Sequence, residues 1–134
     1  MPVVQATRRH QIYLVERWGD TLVVGPRGDA AGFSLQVVNQ EMATVLGVIE
    51  ASDTKHLVID LSRANYFGSV VLGALIQMGN AVRQRGGRVA MCGASSDMQD
   101  VLRLMKLDQM WEPYRDLRAA LGKVAKIPVR EQLW

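Results

Sequence analysis

The stretch that decides the fold is HLVIDLSRANYFGSVVLGALIQ, His56 to Gln77. Its opening, HLVIDLS, is too short for a helix and rich in branched apolar residues, which predicts a buried strand. Asp60 closes the apolar run, a polar link follows, and a second apolar segment opens at Ser69. There Val71, Leu72, Leu75, Met78, Gly79 and Val82 recur at helical spacing until Gly86-Gly87 stops them. RVAMCG, Arg88 to Gly93, then reads as another strand. Strand, helix, strand in this order predicts parallel pairing at the centre of an α/β layer.

Working outward, residues 12–28 hold two apolar runs around Gly19-Asp20. They predict a hairpin of Ile12–Glu16 and Thr21–Val24, turning at Trp18-Gly19-Asp20 and broken by Gly25-Pro26-Arg27-Gly28. Val38, Met42, Val45, Leu46 and Ile49 form an amphipathic stripe behind Ser34, a suitable N-cap. Ser95-Ser96 and Asp97 precede Met98, Val101, Leu102 and Met105, which read as a capped helix with those four residues as its apolar face. MWEPY is a short extended piece interrupted by Pro113. Leu117, Ala120, Leu121 and Val124 share one face of a last helix.

The fold class is therefore α/β, a single domain with a small mixed sheet of four to five strands and about four helices. Residues 1–10 read as an N-terminal extension, 11–125 as the domain, and 126–134 as a tail that offers Leu133 and Trp134 for docking on the domain or a neighbour. At 134 residues, with 49% apolar and 22% charged side chains, the chain is long enough for one self-sufficient core and too apolar to be disordered.

Net charge is −1 over residues 1–67 and +4 over 68–134, with the basic groups scattered. That pattern gives no reason to expect a nucleic acid partner. No apolar stretch reaches membrane-spanning length, and MPVVQATRRHQ has no signal-peptide core, so the expected location is the cytoplasm. Cys92, the sole cysteine, excludes an internal disulfide and reads as a core thiol. His10 and His56 have no metal-ligand spacing.

Motifs for catalysis are missing. GPRGDAAG, residues 25–32, is followed by no Lys-Ser/Thr and fits no dinucleotide spacing. No G-x-S-x-G surrounds Ser69. Asp60 closes a strand as a receiver-domain phosphoacceptor does, yet the chain opens with a hairpin rather than the strand and acidic residues that would hold magnesium. The expectation is a non-enzyme with no catalytic residue, metal or cofactor. A small-molecule or nucleotide site near Gly68–Ser69, with Arg83, Arg85 or Arg88 elsewhere, has no phosphate-cradling motif behind it.

Ser69 admits two readings. A serine before an apolar helix is an ordinary N-cap, worth about 1 kcal/mol. The other reading is that it is the residue this protein exists to present.

From His56 to Leu121 the chain resembles the STAS domain, and more narrowly the bacterial anti-sigma factor antagonists; the likeness extends more weakly over Val3 to Val124. It rests on Leu57-Val58-Ile59-Asp60-Leu61-Ser62, Ser69, Leu72 and Leu75, Gly86-Gly87, Val101-Leu102 with Met105 and Leu107, Trp111 before Pro113-Tyr114, and the closing Asp116-Leu117-x-x-Ala120-Leu121. The resemblance implies a binding module in transcription regulation and signal transduction. Its implied partner is an anti-sigma factor that is also a serine kinase; phosphorylation ends the complex and a phosphatase restores it. Ser69 holds the phosphoacceptor position, and Asp60, Asn65, Gly68, Val70 and Val71 are the surrounding candidate partner-binding residues. The family motif Asp-Ser-Ser/Thr-Gly-Leu here reads Gly68-Ser69-Val70-Val71-Leu72. The alternative is an unphosphorylated STAS scaffold or an oligomerisation module, with a homodimer among the candidate assemblies.

Overall fold

The computed structural model describes residues 5–6, 12–29, 33–51, 53–66 and 68–124. The tail from residue 125 onward, with Leu133 and Trp134, lies outside them. In chain order the elements are β1 (Gln5–Ala6), β2 (Tyr13–Trp18), β3 (Thr21–Pro26), β4 (Gly28–Asp29), α1 (Leu35–Ala51), β5 (His56–Asp60) and β6 (Ala64–Tyr66). There follow α2 (Ser69–Gln84), β7 (Val89–Cys92), α3 (Ser96–Leu104), a 3-10 turn (Leu107–Gln109), β8 (Glu112–Tyr114) and α4 (Leu117–Val124).

The main sheet runs β1-β2-β3-β5-β7-β8. β1, β2 and β3 pair antiparallel, whereas β3, β5, β7 and β8 are parallel. The two-residue β1 adds an edge to the five longer strands, so the mixed sheet and four helices expected from the sequence are present. Alternate residues on the central strands serve opposite layers, as the two-residue period of a strand requires. Leu22, Val24, Leu57, Ile59, Val89 and Met91 join the core built with α1, α2 and α3. Val23, Val58, Ala90 and Cys92 join Trp18 in a second cluster under α4. Both faces of these strands are covered, which is why HLVID and VAMC read as continuous apolar runs.

The hairpin is longer than its sequence suggested. Trp18 belongs to the strand, opposite Thr21, and only Gly19-Asp20 forms the loop, with Gly19 at φ +60°. Pro26 does not break β3 but ends it, opposite Tyr13. A proline is tolerated there because the last residue of a strand can forgo a donor. Gly25 stays in the strand for a steric reason: a Cβ on it would lie 1.9 Å from the Asp60 carbonyl oxygen. One pairing was not foreseen at all. β4 and β6, two short segments, form a separate parallel ladder with an irregular register.

α2 ends as Gly86-Gly87 implied. The Gly86 N–H donates to the Arg83 carbonyl and the Gly87 N–H to the Val82 carbonyl, with Gly86 at φ +83°. This doubly bonded end satisfies carbonyls the helix would otherwise leave open. At the sheet's far edge Arg88 grips Glu112 with Nε and Nη2, at 3.0 and 2.5 Å, and donates through Nη1 to the Lys123 carbonyl. The Tyr114 hydroxyl donates to the same carboxylate at 2.8 Å. Three elements, β7, β8 and α4, are thus tied at one point.

Three outcomes follow for stability. Gly87→Ala places a Cβ 1.8 Å from the Lys55 carbonyl oxygen and should cost at least about 2 kcal/mol in urea unfolding. Gly47→Ala, in mid-helix with open space around the new methyl, should gain about 0.5–1 kcal/mol. The hydrogen bond from Arg88 holds the Glu112 carboxyl below its ordinary value. That contribution is complete above the unfolded value of about 4.3 and is lost as pH falls through the lower folded value. Both groups are over 40% exposed, so it is worth at most about 1 kcal/mol, and Glu112→Gln should remove that part of the acid dependence.

Candidate functional site

Ser69 stands at the carboxyl end of the sheet, where the chain leaving β5 returns as α2. Asp60 prepares this turn. Its Oδ1 accepts from the Ser62 N–H at 3.0 Å and from the Cys92 thiol at 3.7 Å. Leu61 N–H donates to the Cys92 carbonyl at 2.8 Å, fixing the strand end to β7. Burial, reinforced by the Asp60 carboxylate, pushes the Cys92 thiol far up, so it stays a protonated core group. Asp60 orders the loop and is not among the residues that line the groove beside Ser69. The backbone of Asn65 lies in β6, beside β4.

The N-cap of α2 is Gly68, in extended conformation, and no side chain caps the helix. Ser69 is the first helical residue and is exposed. The capping reading of Ser69 is therefore corrected. A hydroxyl caps from the residue before the first helical turn, where it can reach the N–H groups two or three positions on; at the first helical position it does not. The other α-helices show the contrast. Ser34 accepts from Val37 N–H at 3.3 Å, Ser95 from Met98 N–H at 3.2 Å, and Asp116 from Ala119 N–H at 2.9 Å. Ser95 thus caps α3 as expected.

The two valines after Ser69 part company. Val71 is buried in the main core, so its branched side chain is not on the surface around Ser69. The reading of Val71 as a partner-facing residue is corrected accordingly: the helical turn that exposes Ser69 points position 71 at the sheet. Val70 is 43% exposed beside Ser69 and remains on the outer surface. Leu72 is buried, yet it lines the neighbouring groove together with Gly68, Ser69, Gly73 and Ile76.

That groove, about 520 Å³, runs between α2 and α3. Ser95, Asp97, Met98, Val101, Leu102 and Met105 form its α3 wall. Met98, Val101, Leu102 and Met105 are the apolar face expected of this helix. Only Leu102 is fully buried; Val101 and Met105 are about half exposed, at 50% and 49%, and Leu104 is 84% exposed. This nine-residue helix buries only a narrow stripe, and its remaining apolar residues face the groove or solvent. The sequence signal was present in Leu104 itself, an apolar residue outside the helical stripe. An exposed apolar rim of this kind marks an interaction surface.

A direct check separates the serines. Ser95→Ala should lose about 1 kcal/mol of unfolding free energy, the worth of a cap, whereas Ser69→Ala should change it by less than about 0.5 kcal/mol. Equal losses in chemical denaturation would restore a capping role to Ser69.

The STAS domain family model matches residues 20–120. No curated protein matches the sequence. Among solved structures, an anti-sigma factor antagonist from Mycobacterium paratuberculosis is 26% identical, covers 84% of this chain and 92% of its own, and superposes with a TM-score of 0.67. The phosphorylated form of SpoIIAA, a Bacillus cell fate determinant, is 16% identical, with coverages of 81% and 96% and a TM-score of 0.64. A sulfate transporter family protein from Wolinella succinogenes, 13% identical, gives coverages of 85% and 90% and a TM-score of 0.62. The last two share the fold alone, and they come from proteins of different roles. The family match spans most of the chain and every element from β3 to the first half of α4, and the chain belongs to the STAS domain family.

Proposed function

We propose that the protein is an interaction module of the anti-sigma factor antagonist type, without catalytic activity of its own, whose binding is switched by phosphorylation of Ser69. The observation that carries this reading is an exposed Ser69 at the start of α2 that caps nothing, set at the rim of an apolar groove. The implied partner is an anti-sigma factor with serine kinase activity, and a phosphatase would reverse the modification. In the first turn of a helix the leading N–H groups have no intrahelical acceptor. A phosphate on Ser69 is favoured there by those donors and by the helix dipole. It does not disturb the fold, because the hydroxyl supports nothing. It does place roughly two negative charges beside Val70, Leu72 and Val101. A partner packed on that apolar surface would have to desolvate them, at a cost of several kcal/mol. One position can thus be harmless to stability and decisive for docking.

A second reading is favoured by Gly68 and the half-exposed Val70, which stand where the family carries a carboxylate and a hydroxyl. It is a constitutive scaffold or oligomerisation module that docks through Val70 and the α3 rim without modification. Here the exposed valine enlarges the apolar contact, and Ser69 is a bystander.

Pull-down from the native cell with wild-type, Ser69→Ala and Ser69→Asp baits, read by mass spectrometry, separates the two. The switching reading expects a kinase-like partner on the wild-type and Ser69→Ala baits and its loss, by at least about tenfold, on Ser69→Asp. Equal recovery on all three supports the scaffold. Leu104→Ser or Val101→Ser should reduce capture under either reading while leaving unfolding free energy within about 0.5 kcal/mol, since both side chains are exposed.

A further inference from the structure

At the carboxyl ends of β7 and β8 the chain departs in opposite directions. After β7 it enters α3, whose Met98 and Leu102 pack on the layer shared with α1 and α2. After β8 it enters α4, whose Ala120, Leu121 and Val124 pack on the other layer against Val58 and Ala90. Neighbouring parallel strands whose connections leave to opposite faces open a crevice beyond their carboxyl ends, and such switch points are where α/β proteins hold small ligands. A cavity of about 470 Å³ lies at this place, lined by residues of β7, α3, the 3-10 turn and β8 with the bend after it. Its size falls within the range of small-molecule sites. It is distinct from the Ser69 groove: the two share no lining residue, and α3 walls both, with Gln99 and Arg103 on this side.

The chemistry of the lining is specific. The lining holds two arginines, Arg103 and Arg115, and one acidic residue, Asp108. Gln99 Nε2 donates to the Ala94 carbonyl at 3.0 Å, which fixes the lip of the crevice. The two arginines are held only loosely. Arg103 meets Asp100 at 3.3 Å with both side chains about two-thirds exposed, and Arg115 meets Asp116 at 3.8 Å while itself 94% exposed. Exposed pairs of this kind contribute little and yield to a better acceptor. An oxyanion suits two planar donor forks. Asp108 adds a constraint: it repels a polyanion and accepts from a hydroxyl.

We propose that this crevice is a ligand site for a small hydroxylated molecule carrying a single oxyanion, a phosphate monoester or a carboxylate. Arg103 and Arg115 bind the oxyanion and Asp108 accepts from the hydroxyl. Met91 and Pro113 supply apolar contact at the strand ends.

The test is an amide chemical-shift titration of the full chain at low salt. Glycerol 3-phosphate and glycerate represent the two sources of the oxyanion, and glycerol is the uncharged control. The proposal expects saturable shifts at residues 91–94, Gln99, Arg103 and Arg115 with at least one of the two anions, and none with glycerol. The responding anion identifies the head group. Arg103→Gln with Arg115→Gln should weaken binding about tenfold or more. Arg83→Gln, which removes the same charge from the last turn of α2, should not. Asp108→Asn keeps an acceptor while deleting a like charge, so it should tighten binding, an effect that damage to the fold would not imitate. Absence of saturable shifts up to about 10 mM, where a site with Kd near 1 mM is mostly filled, would overturn the proposal. So would shifts confined to Gly68–Val71, binding that survives the double arginine variant, or weaker binding in Asp108→Asn.

Discussion

The structure depends on how closely other backbone segments press on the segment from Lys55 to Ser62. Three glycines make the contact possible. A side chain on Gly25 would strike the Asp60 carbonyl, one on Gly87 the Lys55 carbonyl, and one on Gly93 the backbone of Ser62, at 1.9, 1.8 and 2.9 Å. β5 is thereby held at both ends between β3 and β7, with its middle, Leu57 to Ile59, fully buried. The start of α2 is set by the carboxyl end of that strand. Asp60 turns the chain, the short β6 ladder carries it across, and α2 begins with Ser69 outward and Val71 inward. A shift of the strand by one residue would exchange its two faces and lose both cores.

Against this frame the two ends of α2 differ. Its C-terminus is fully dressed, with glycine-mediated bonds to the Val82 and Arg83 carbonyls. Its N-terminus is left bare, with a glycine at the cap position. Ser34, Ser95 and Asp116 show that this sequence supplies side-chain caps elsewhere. A bare helix start beside an apolar groove keeps Ser69 available, and it leaves the chain free to gain or lose a charge there without structural consequence. The same helix end, uncapped, is where an added phosphate finds donors already pointing at it.

Much of the fold was legible because it rests on periodicity. The all-buried strands showed as short branched runs, α1 and α2 as stripes, and the end of α2 as Gly86-Gly87. What was illegible depended on relations between distant residues. Gly25 looked like a strand breaker because its reason, the Asp60 carbonyl, lies 35 positions away in the chain. Trp18 looked like a turn residue because its burial under α4 is a tertiary fact. Ser69 looked like a cap because capping and presentation share one sequence pattern and differ by a single position in the helix. The half exposure of Val101 and Met105 was hidden because an apolar stripe does not reveal how wide a surface its helix finds to cover. The groove beside Ser69 lies between two helices of one layer, the crevice at the β7–β8 switch point lies where the chain leaves to opposite faces, and no local motif announces either.

The central claim is that Ser69 is presented for modification rather than used by the fold. Its most direct test is to recover the protein from its native cell, separate the partner-bound and free pools, and map phosphate in each by tandem mass spectrometry. The result expected is phosphate on Ser69 in the free pool and an unmodified Ser69 in the bound pool, with Ser95 unmodified in both. An unmodified Ser69 in both pools, or equal phosphate in each, would contradict it.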